Sequence, residues 1–236
     1  MKKIAEWMLN LLYPRRCALC DAVLSKKQRW FCGDCLQRLP LAKEPYCMKC
    51  GKVLEKDEQE YCADCCLHPH IFERGRSLLV YDGMVKKSIY RYKYNSRKEY
   101  AQAYAYLAER QLGDFIREIN PDAFIPVPLH RKRYRKRGYN QAELFADALG
   151  RRMGIPVERK LVQRSRCTLP QKNLDITARQ NNLKKAFKIS RNDVKLYTTI
   201  IIDDIYTTGS TVDAVAMQLK KAGVQRVFFL TISGGR

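Results

Sequence analysis

The chain has 236 residues, 45 Lys or Arg against 24 Asp or Glu, and a formal net charge of +21. A hydrophobic content of 46% is ample for a core, while a mean hydropathy of −0.44 and the lack of any run of 18 apolar residues argue against a transmembrane helix. This length accommodates one medium domain and a smaller one, and so basic a chain will attract polyanions.

The N-terminal segment, MKKIAEWMLNLLYP, combines two lysines with an apolar stretch. Glu6 and Asn10 interrupt that stretch and no small-residue cleavage site follows, so we do not expect a signal peptide. The apolar residues suit one face of a short helix that packs on its own domain, with packing on a membrane or a partner as the alternative. We therefore expect a cytoplasmic location.

Eight of the ten cysteines form four C-x-x-C pairs, and the same spacing recurs 30 residues later as an internal repeat. In a cytoplasmic chain such pairs indicate metal binding rather than disulfides. Four thiolates per repeat suit a closed, tetrahedral zinc site, which is structural because no coordination position stays open. The predicted zinc ligands are Cys17, Cys20, Cys32 and Cys35 in the first set, and Cys47, Cys50, Cys62 and Cys65 in the second.

The sequence leaves the grouping of these pairs open. Two sequential sets are the simplest arrangement, but a cross-braced one uses the same residues. Cys66 could replace Cys65, and His68 or His70 could also substitute. The segment has few large apolar side chains, so metal should supply much of its stability. We assign residues 1–75 to this zinc-binding domain and residues 76–236 to a second domain.

The second domain begins with a predicted strand at Ser77–Gly83 and a helix-prone segment from Met84 to Arg117. In that segment, IYRYKYNSRKEY at residues 89–100 alternates tyrosines with basic residues. Such a mixture could stack nucleic-acid bases and neutralise phosphates. An amphipathic helix with a tyrosine-lined face is an equal alternative.

A second strand is predicted at Pro121–His130. It is followed by a loop in which six of the seven residues Arg131–Arg137 are basic, and a helix begins near Asn140. A basic loop between a strand and a helix suits pyrophosphate, because guanidinium groups bind phosphate bidentately and Gly138 allows close approach of the backbone. A solvated basic loop without a ligand is the alternative.

The most informative stretch is IIIDDIYTTGST at Ile200–Thr211. A buried strand, two acids, a hydroxyl-rich turn and a helix follow one another, and ligands of parallel sheets bind at such strand ends. Asp203 and Asp204 can accept hydrogen bonds from ribose hydroxyls, while the helix N-terminus can bind a phosphate. Alternatively, both acids merely cap the next turn. The predicted phosphate cradle consists of Thr207, Thr208, Gly209, Ser210 and Thr211, and a last strand covers Val224–Gly235.

This stretch resembles the phosphoribosyl-pyrophosphate (PRPP) motif of type I phosphoribosyltransferases. The resemblance implies their α/β fold, a parallel sheet flanked by helices, and PRPP with Mg²⁺ as substrate. It also implies that Asp203 and Asp204 are catalytic residues that hold the ribose hydroxyls. VPLHRKRYRKRGYNQAE at residues 127–143 resembles the ComF family, competence-associated proteins with an N-terminal zinc domain. That likeness assigns pyrophosphate binding to Arg137, Gly138, Asn140 and Gln141.

QKNLDITARQNNLKKAF at residues 171–187 resembles a further ComF element. Phosphoribosyltransferases carry a mobile loop or hairpin there, which closes over PRPP. Closure excludes water from the oxocarbenium-like centre that departing pyrophosphate leaves. The residues that match this flexible element include Gln171, Arg179 and Asn182.

The ComF resemblance implies a role in DNA uptake and transformation, with two possible activities. One is an enzyme that transfers phosphoribosyl from PRPP to an unidentified acceptor; Thr207 stands where several purine-salvage enzymes place a base-contacting carboxylate. The other is a protein that binds single-stranded DNA and has a regulatory or vestigial phosphoribosyl site. In either, the zinc domain could dock other competence proteins.

Overall fold

The structure is a computed structural model that describes residues 14–164, 186–191 and 194–235. The predicted N-terminal helix lies outside these residues. Seven helices and six strands occur in the described chain. The strands are β1 Gly75–Val80, β2 Ala123–Pro126, β3 Val162–Arg164, β4 Phe187–Ile189, β5 Thr198–Tyr206 and β6 Arg226–Gly234. The helices are α1 Gly33–Gln37, α2 Ala63–Leu67, α3 Gly83–Tyr94, α4 Tyr100–Ile119, α5 Arg131–Arg137, α6 Gln141–Met153 and α7 Ser210–Lys221.

Four parallel strands form the central sheet in the order β1–β6–β5–β2, while β3 and β4 form a separate antiparallel pair. The centre of β5, Ile200–Ile202, is apolar and fully buried, as expected for a strand that is covered on both faces of the sheet. Ile200 and Ile202 face a core that includes residues of α4 and α6, and Ile201 faces a second core that includes residues of α7. The α/β architecture with flanking helices is thus as predicted.

Short irregular segments cover both edges of this sheet. At β1, Leu41 forms an antiparallel bridge with Leu79, and the Val80 N–H donates to the Pro40 carbonyl at 2.8 Å. At β2, Val157 forms a parallel bridge with Phe124. The backbone groups that an edge strand would otherwise leave unpaired therefore have partners within the chain.

Two predicted boundaries were wrong for reasons of backbone geometry. The helix-prone segment 84–117 is divided into α3 and α4, because Asn95 ends α3 and Ser96 adopts a φ of 55° that a helix cannot continue. The predicted strand 121–130 is reduced to β2. Pro128 has no N–H to donate to a ladder.

The basic segment 131–137 is the helix α5 and not the predicted loop. The His130 ring accepts a hydrogen bond from the Lys132 N–H at 3.3 Å and so caps its start, while Gly138, with a φ of 80°, ends it. Lysine and arginine are good helix formers, so a seven-residue basic segment between two caps can close two turns.

The two cysteine repeats have the same local structure, as their identical spacing predicts. In each, the first cysteine N–H donates at 2.8 Å to a carbonyl five residues on, which closes a tight turn. A five-residue helix then begins directly after the third cysteine, α1 after Cys32 and α2 after Cys62.

The residue after the second cysteine differs between the repeats, and it determines how each repeat packs. Asp21 and Gly51 both have positive φ, of 68° and 70°. The Asp21 carboxylate accepts hydrogen bonds from Arg97 at 3.1 Å and from the Tyr100 hydroxyl at 2.5 Å, which attaches the first repeat to the α3–α4 turn. At Gly51, a Cβ would lie 2.6 Å from the Gly75 carbonyl oxygen, so only glycine lets the second repeat approach β1 this closely.

Candidate functional site

The eight predicted cysteines form two four-thiol clusters. Within each cluster the sulfur atoms lie within 4.8 Å of one another. The Cys20 and Cys32 sulfurs are 3.7 Å apart, as are those of Cys50 and Cys62. A tetrahedral zinc with Zn–S bonds of about 2.3 Å requires sulfur separations of about 3.8 Å, so both clusters fit zinc.

The grouping that the sequence left open is sequential. Cys17, Cys20, Cys32 and Cys35 make one cluster, and Cys47, Cys50, Cys62 and Cys65 make the other. Cys66 is exposed and belongs to neither described cluster. A backbone N–H also supports a sulfur atom, since Cys32 donates to the Cys17 sulfur at 3.4 Å. Each closed set of four thiolates is a structural zinc site.

In open parallel sheets the ligand crevice lies outside the carboxyl ends of the strands, which in this chain is where β5 ends. The acid pair, Asp203 and Asp204, lies near the end of this central strand. Both residues are partly exposed, although Ile200–Ile202 are buried. The strand continues to Tyr206, so the acids are within it rather than after it. Asp203 accepts the Asp204 backbone N–H at 2.8 Å.

Burial raises the pKa of Asp203 to about 7, and the neighbouring charge of Asp204 raises it further, against the opposing effects of Lys93 and Arg164. Ionising both of two adjacent, poorly solvated carboxylates costs free energy, because the two negative charges repel each other. Hydroxyl groups that donate to this carboxylate would favour its ionised form. The acid pair therefore suits a polyhydroxyl ligand such as ribose.

Lys93 is a site residue that the sequence analysis missed. Its Nζ lies 2.9 Å from Oδ1 of Asp204, with 18% and 16% of the two side chains exposed. The sequence analysis included Lys93 only in the tyrosine-rich basic surface. Its position near the end of α3, close to the Asn95 terminus, could have suggested a side chain that faces the sheet edge, but its partner follows only from the tertiary fold.

The hydroxyl loop, residues 207–211, joins β5 to α7. Gly209 occupies the N-cap position of α7 with a φ of 75°. The hydroxyls of Thr208 and Ser210 are 2.8 Å apart, and Thr207 is exposed. The first turn of this 12-residue helix has backbone N–H groups without intrahelical acceptors, and such groups can bind phosphate.

The four residues of the predicted pyrophosphate loop have different surroundings. Arg137 donates to the Gln141 side chain, and its guanidinium carbon lies 5.0 Å from the centre of the Tyr94 ring. Gly138 is exposed at the end of α5. Tyr94 follows Lys93 in the chain, so Arg137 contacts the same end of α3 that carries the lysine paired with Asp204.

Asn140 and Gln141 are buried and have structural contacts. Asn140 caps α6 by accepting the Ala142 N–H at 3.2 Å, and its amide donates to the Val127 carbonyl at 3.0 Å. Gln141 is 1% exposed and holds Arg137. Both side chains position the basic segment, and a contact of Arg137, Gly138, Asn140 and Gln141 with pyrophosphate stays a prediction.

The flexible element lies mostly outside the described residues. Gln171, Arg179 and Asn182 are all in the range 165–185, which the structure does not describe. The described flanks are β3 and β4, whose antiparallel pairing joins Arg164 to Phe187. Among the described ranges, no helix is long and apolar enough to cross a membrane.

Comparisons with known proteins agree with these observations. Residues 8–66 match the family described as Double zinc ribbon domain. The chain is 39% identical over 109 residues to Competence protein F of Haemophilus influenzae, a match that covers 45% of this chain and about half, 48%, of that protein. It is 29% identical over 225 residues to DNA utilization protein YhgH of Salmonella typhi, covering 92% of this chain and 96% of that protein. Competence protein ComFC of Bacillus subtilis is 26% identical over 164 residues, which is 65% of this chain and 60% of that protein.

We predict that the purified chain holds two zinc ions and that Cys62→Ser reduces this to one, because three thiolates and a hydroxyl bind zinc less well than four thiolates. Elemental analysis of the dialysed protein measures the ratio. Cys66→Ser is the matched control and should keep two ions. Loss of an ion in the control, with retention in Cys62→Ser, would contradict the grouping.

Proposed function

We propose that this chain, which belongs to the ComF family, binds PRPP as its magnesium complex in the crevice and transfers the phosphoribosyl group to an acceptor. The observation that carries this proposal is the acid pair at the carboxyl end of β5, directly followed by the hydroxyl loop at the start of α7. A phosphorylated pentose matches both parts, since it has adjacent hydroxyls and a 5′-phosphate.

The charges around the crevice support an anionic substrate. Lys93 belongs to α3 and pairs with Asp204, while Arg137 is held by Gln141 and contacts Tyr94 of α3. Helix α3 packs in the other core from α7. In our proposal the loop binds the 5′-phosphate and the basic side binds pyrophosphate. Gln171, Arg179 and Asn182 would belong to the element that closes over them. Magnesium arrives with the substrate, bound mainly by its oxygens.

The chemistry that follows is the departure of pyrophosphate from C1 of the ribose. Positive charge develops on the ring, and the carboxylates of the acid pair stabilise it while holding the 2′- and 3′-hydroxyls. Basic groups at the pyrophosphate stabilise the leaving group. Thr207 offers no carboxylate for an acceptor base, so the acceptor class is left open.

We predict that the double variant Asp203→Asn with Asp204→Asn binds magnesium–PRPP at least 100-fold more weakly than wild type. Each lost charge-assisted hydrogen bond is worth about 1.5–3 kcal/mol, and about 2.7 kcal/mol corresponds to 100-fold. Isothermal titration calorimetry measures the affinity. Asp57→Asn with Asp114→Asn, which changes two exposed acids, is the matched control for net charge and should bind normally. Equal binding by the acid-pair variant would refute the assignment.

We also predict that binding at pH 7 releases about half a proton from Asp203. The pKa of this carboxyl is raised to about 7, so the group is about half protonated, and hydroxyl donors lower its pKa and expel the proton. Titration calorimetry in buffers of different ionisation enthalpy measures the release. In the single variant Asp203→Asn, any protons released by the ligand itself should still be measured, but the proton from residue 203 should be missing. An identical proton release in wild type and in this variant would count against a ribose contact at Asp203.

A second candidate function is the binding of single-stranded DNA, and one surface favours it. Tyr90 and Tyr94 lie on one face of α3 with ring centres 4.9 Å apart, and 59% and 58% of these residues are exposed. Arg137 extends the row over Tyr94 at 5.0 Å. The rest of α5 presents exposed basic residues beside it. Stacked aromatic rings next to cationic groups bind single strands with little sequence preference.

We predict that Tyr90→Ala with Tyr94→Ala weakens binding of an oligothymidylate at least tenfold, because stacking is worth about 1–3 kcal/mol per base. Tyr90→Phe with Tyr94→Phe retains the rings and should bind like wild type. Tyr61→Ala with Tyr197→Ala, which removes two exposed tyrosines elsewhere, is the matched control. Fluorescence anisotropy at several salt concentrations measures the affinity. A loss of equal size in the control would show that this surface is not the site.

Two related proposals concern location and partners. Eight thiolate ligands require a reducing compartment, which supports a cytoplasmic location. The names of the relatives refer to competence and DNA utilization, and we propose that the zinc domain contacts other DNA-uptake proteins through its exposed side. Leu36 and Leu67, one in each repeat's short helix, are 50% and 74% exposed there.

A further inference from the structure

The second cysteine cluster shares one hydrophobic core with the end of β5 and the start of α7. Cys47, Cys50 and Cys62 pack in this core with Tyr206 and Val212. The first cluster packs in the other core, with residues of α3 and α4. Of the two zinc sites, the second is therefore the one adjacent to the hydroxyl loop.

Four rings fill the space between the second cluster and the hydroxyl loop. His70 stacks on Phe72 with centroids 4.7 Å apart, and Phe72 meets Phe229 edge-on at 4.8 Å. Tyr206 stacks on Phe229 at 4.6 Å. Segment 66–72 thus connects the cluster to the sheet through stacked aromatic contacts.

The hydroxyl loop rests directly on two of these rings. A Cβ at Gly209 would lie 2.7 Å from the Tyr206 hydroxyl and 2.9 Å from the His70 ring. Gly209 also has a φ of 75°, which side chains disfavour. The shape of the loop therefore depends on where His70 and Tyr206 are held.

Asp213, in the first turn of α7, links segment 66–72 to this helix through hydrogen bonds. One carboxylate oxygen contacts His70 Nδ1 at 2.7 Å, and the other accepts the Ile71 N–H at 2.8 Å. The His70 side chain is 3% exposed, and its Nε2 makes no hydrogen bond to the described chain. The ring thus donates from Nδ1 and is fixed by this bond and by its stacking. This explains why His70, which sequence reasoning considered as a zinc substitute, is not a ligand.

We propose that His70 is a positioning residue that couples the second zinc site to the hydroxyl loop, so that metal loss from this site, and not from the first, loosens the loop and weakens sugar-phosphate binding. The binding part rests on the proposed function. The coupling itself concerns the free protein. Zinc occupancy at the second site would then determine whether the crevice can hold a phosphorylated pentose.

The test uses the full chain and reads the loop directly. In His70→Ala, amide hydrogen exchange of residues 207–213 should become at least tenfold faster, and ribose 5-phosphate should bind at least tenfold more weakly, while two zinc ions are retained. His70→Asn places an amide donor where Nδ1 was and should restore most of the protection. His68→Ala is the matched control on the same segment and should behave like wild type.

The metal arm compares equivalent positions of the two repeats. Cys62→Ser should speed exchange in residues 207–213, whereas Cys32→Ser should leave these amides protected. If His70→Ala leaves the amide hydrogen exchange of residues 207–213 unchanged, the proposal is overturned, whether or not any ligand binds. This outcome does not depend on the folding of the cysteine variants. Faster exchange in His70→Ala, with no ribose 5-phosphate binding by wild type, supports the coupling and instead refutes the proposed function.

Discussion

Strand β5 lies between β6 and β2 and is covered on both faces, so Ile200–Ile202 are buried before the strand reaches the edge of the sheet. There the covering ends, and Asp203 and Asp204 occupy positions where carboxylates are only partly solvated. The hydroxyl loop, the α7 N-terminus and Lys93 all reach the same edge because parallel strands end together. The raised pKa of Asp203 follows from this geometry, since its carboxylate has lost water without gaining an equal number of hydrogen-bond donors.

Features encoded locally could be predicted from the sequence, and features that depend on distant residues could not. The β5 strand and the eight thiol ligands are encoded in short spacings, so the strand, its carboxyl edge and the ligands could be predicted, whereas the grouping of the ligands into two clusters could not. The segment of α5 was predicted to be a loop because a run of basic residues is compatible with a loop and with a helix. The caps at His130 and Gly138 favour the helix. Lys93 and His70 gained their roles from partners on β5 and α7, which no local pattern indicates.

The two zinc sites are alike in ligands but differ in surroundings. The first attaches to the α3–α4 turn through Asp21, next to the helices that cover one face of the sheet. The second lies against β1 and the core beneath α7, where Gly51 permits close contact. The two repeats have the same cysteine spacing but pack against different parts of the second domain. The residue after the second cysteine, Asp21 in one repeat and Gly51 in the other, makes this difference.

The short segments beside the outer strands β1 and β2 affect whether two molecules of this protein can associate through their sheet edges. Residues 40–42 occupy the hydrogen-bonding positions beside β1, and residues 156–158 do so beside β2. At the outer strands of the four-stranded sheet, within the described residues, a second molecule therefore finds no open row of amides and carbonyls onto which it could add a strand. Because the linker between the cysteine repeats supplies one of these covers, the outer edge of β1 is paired by the N-terminal part of the chain.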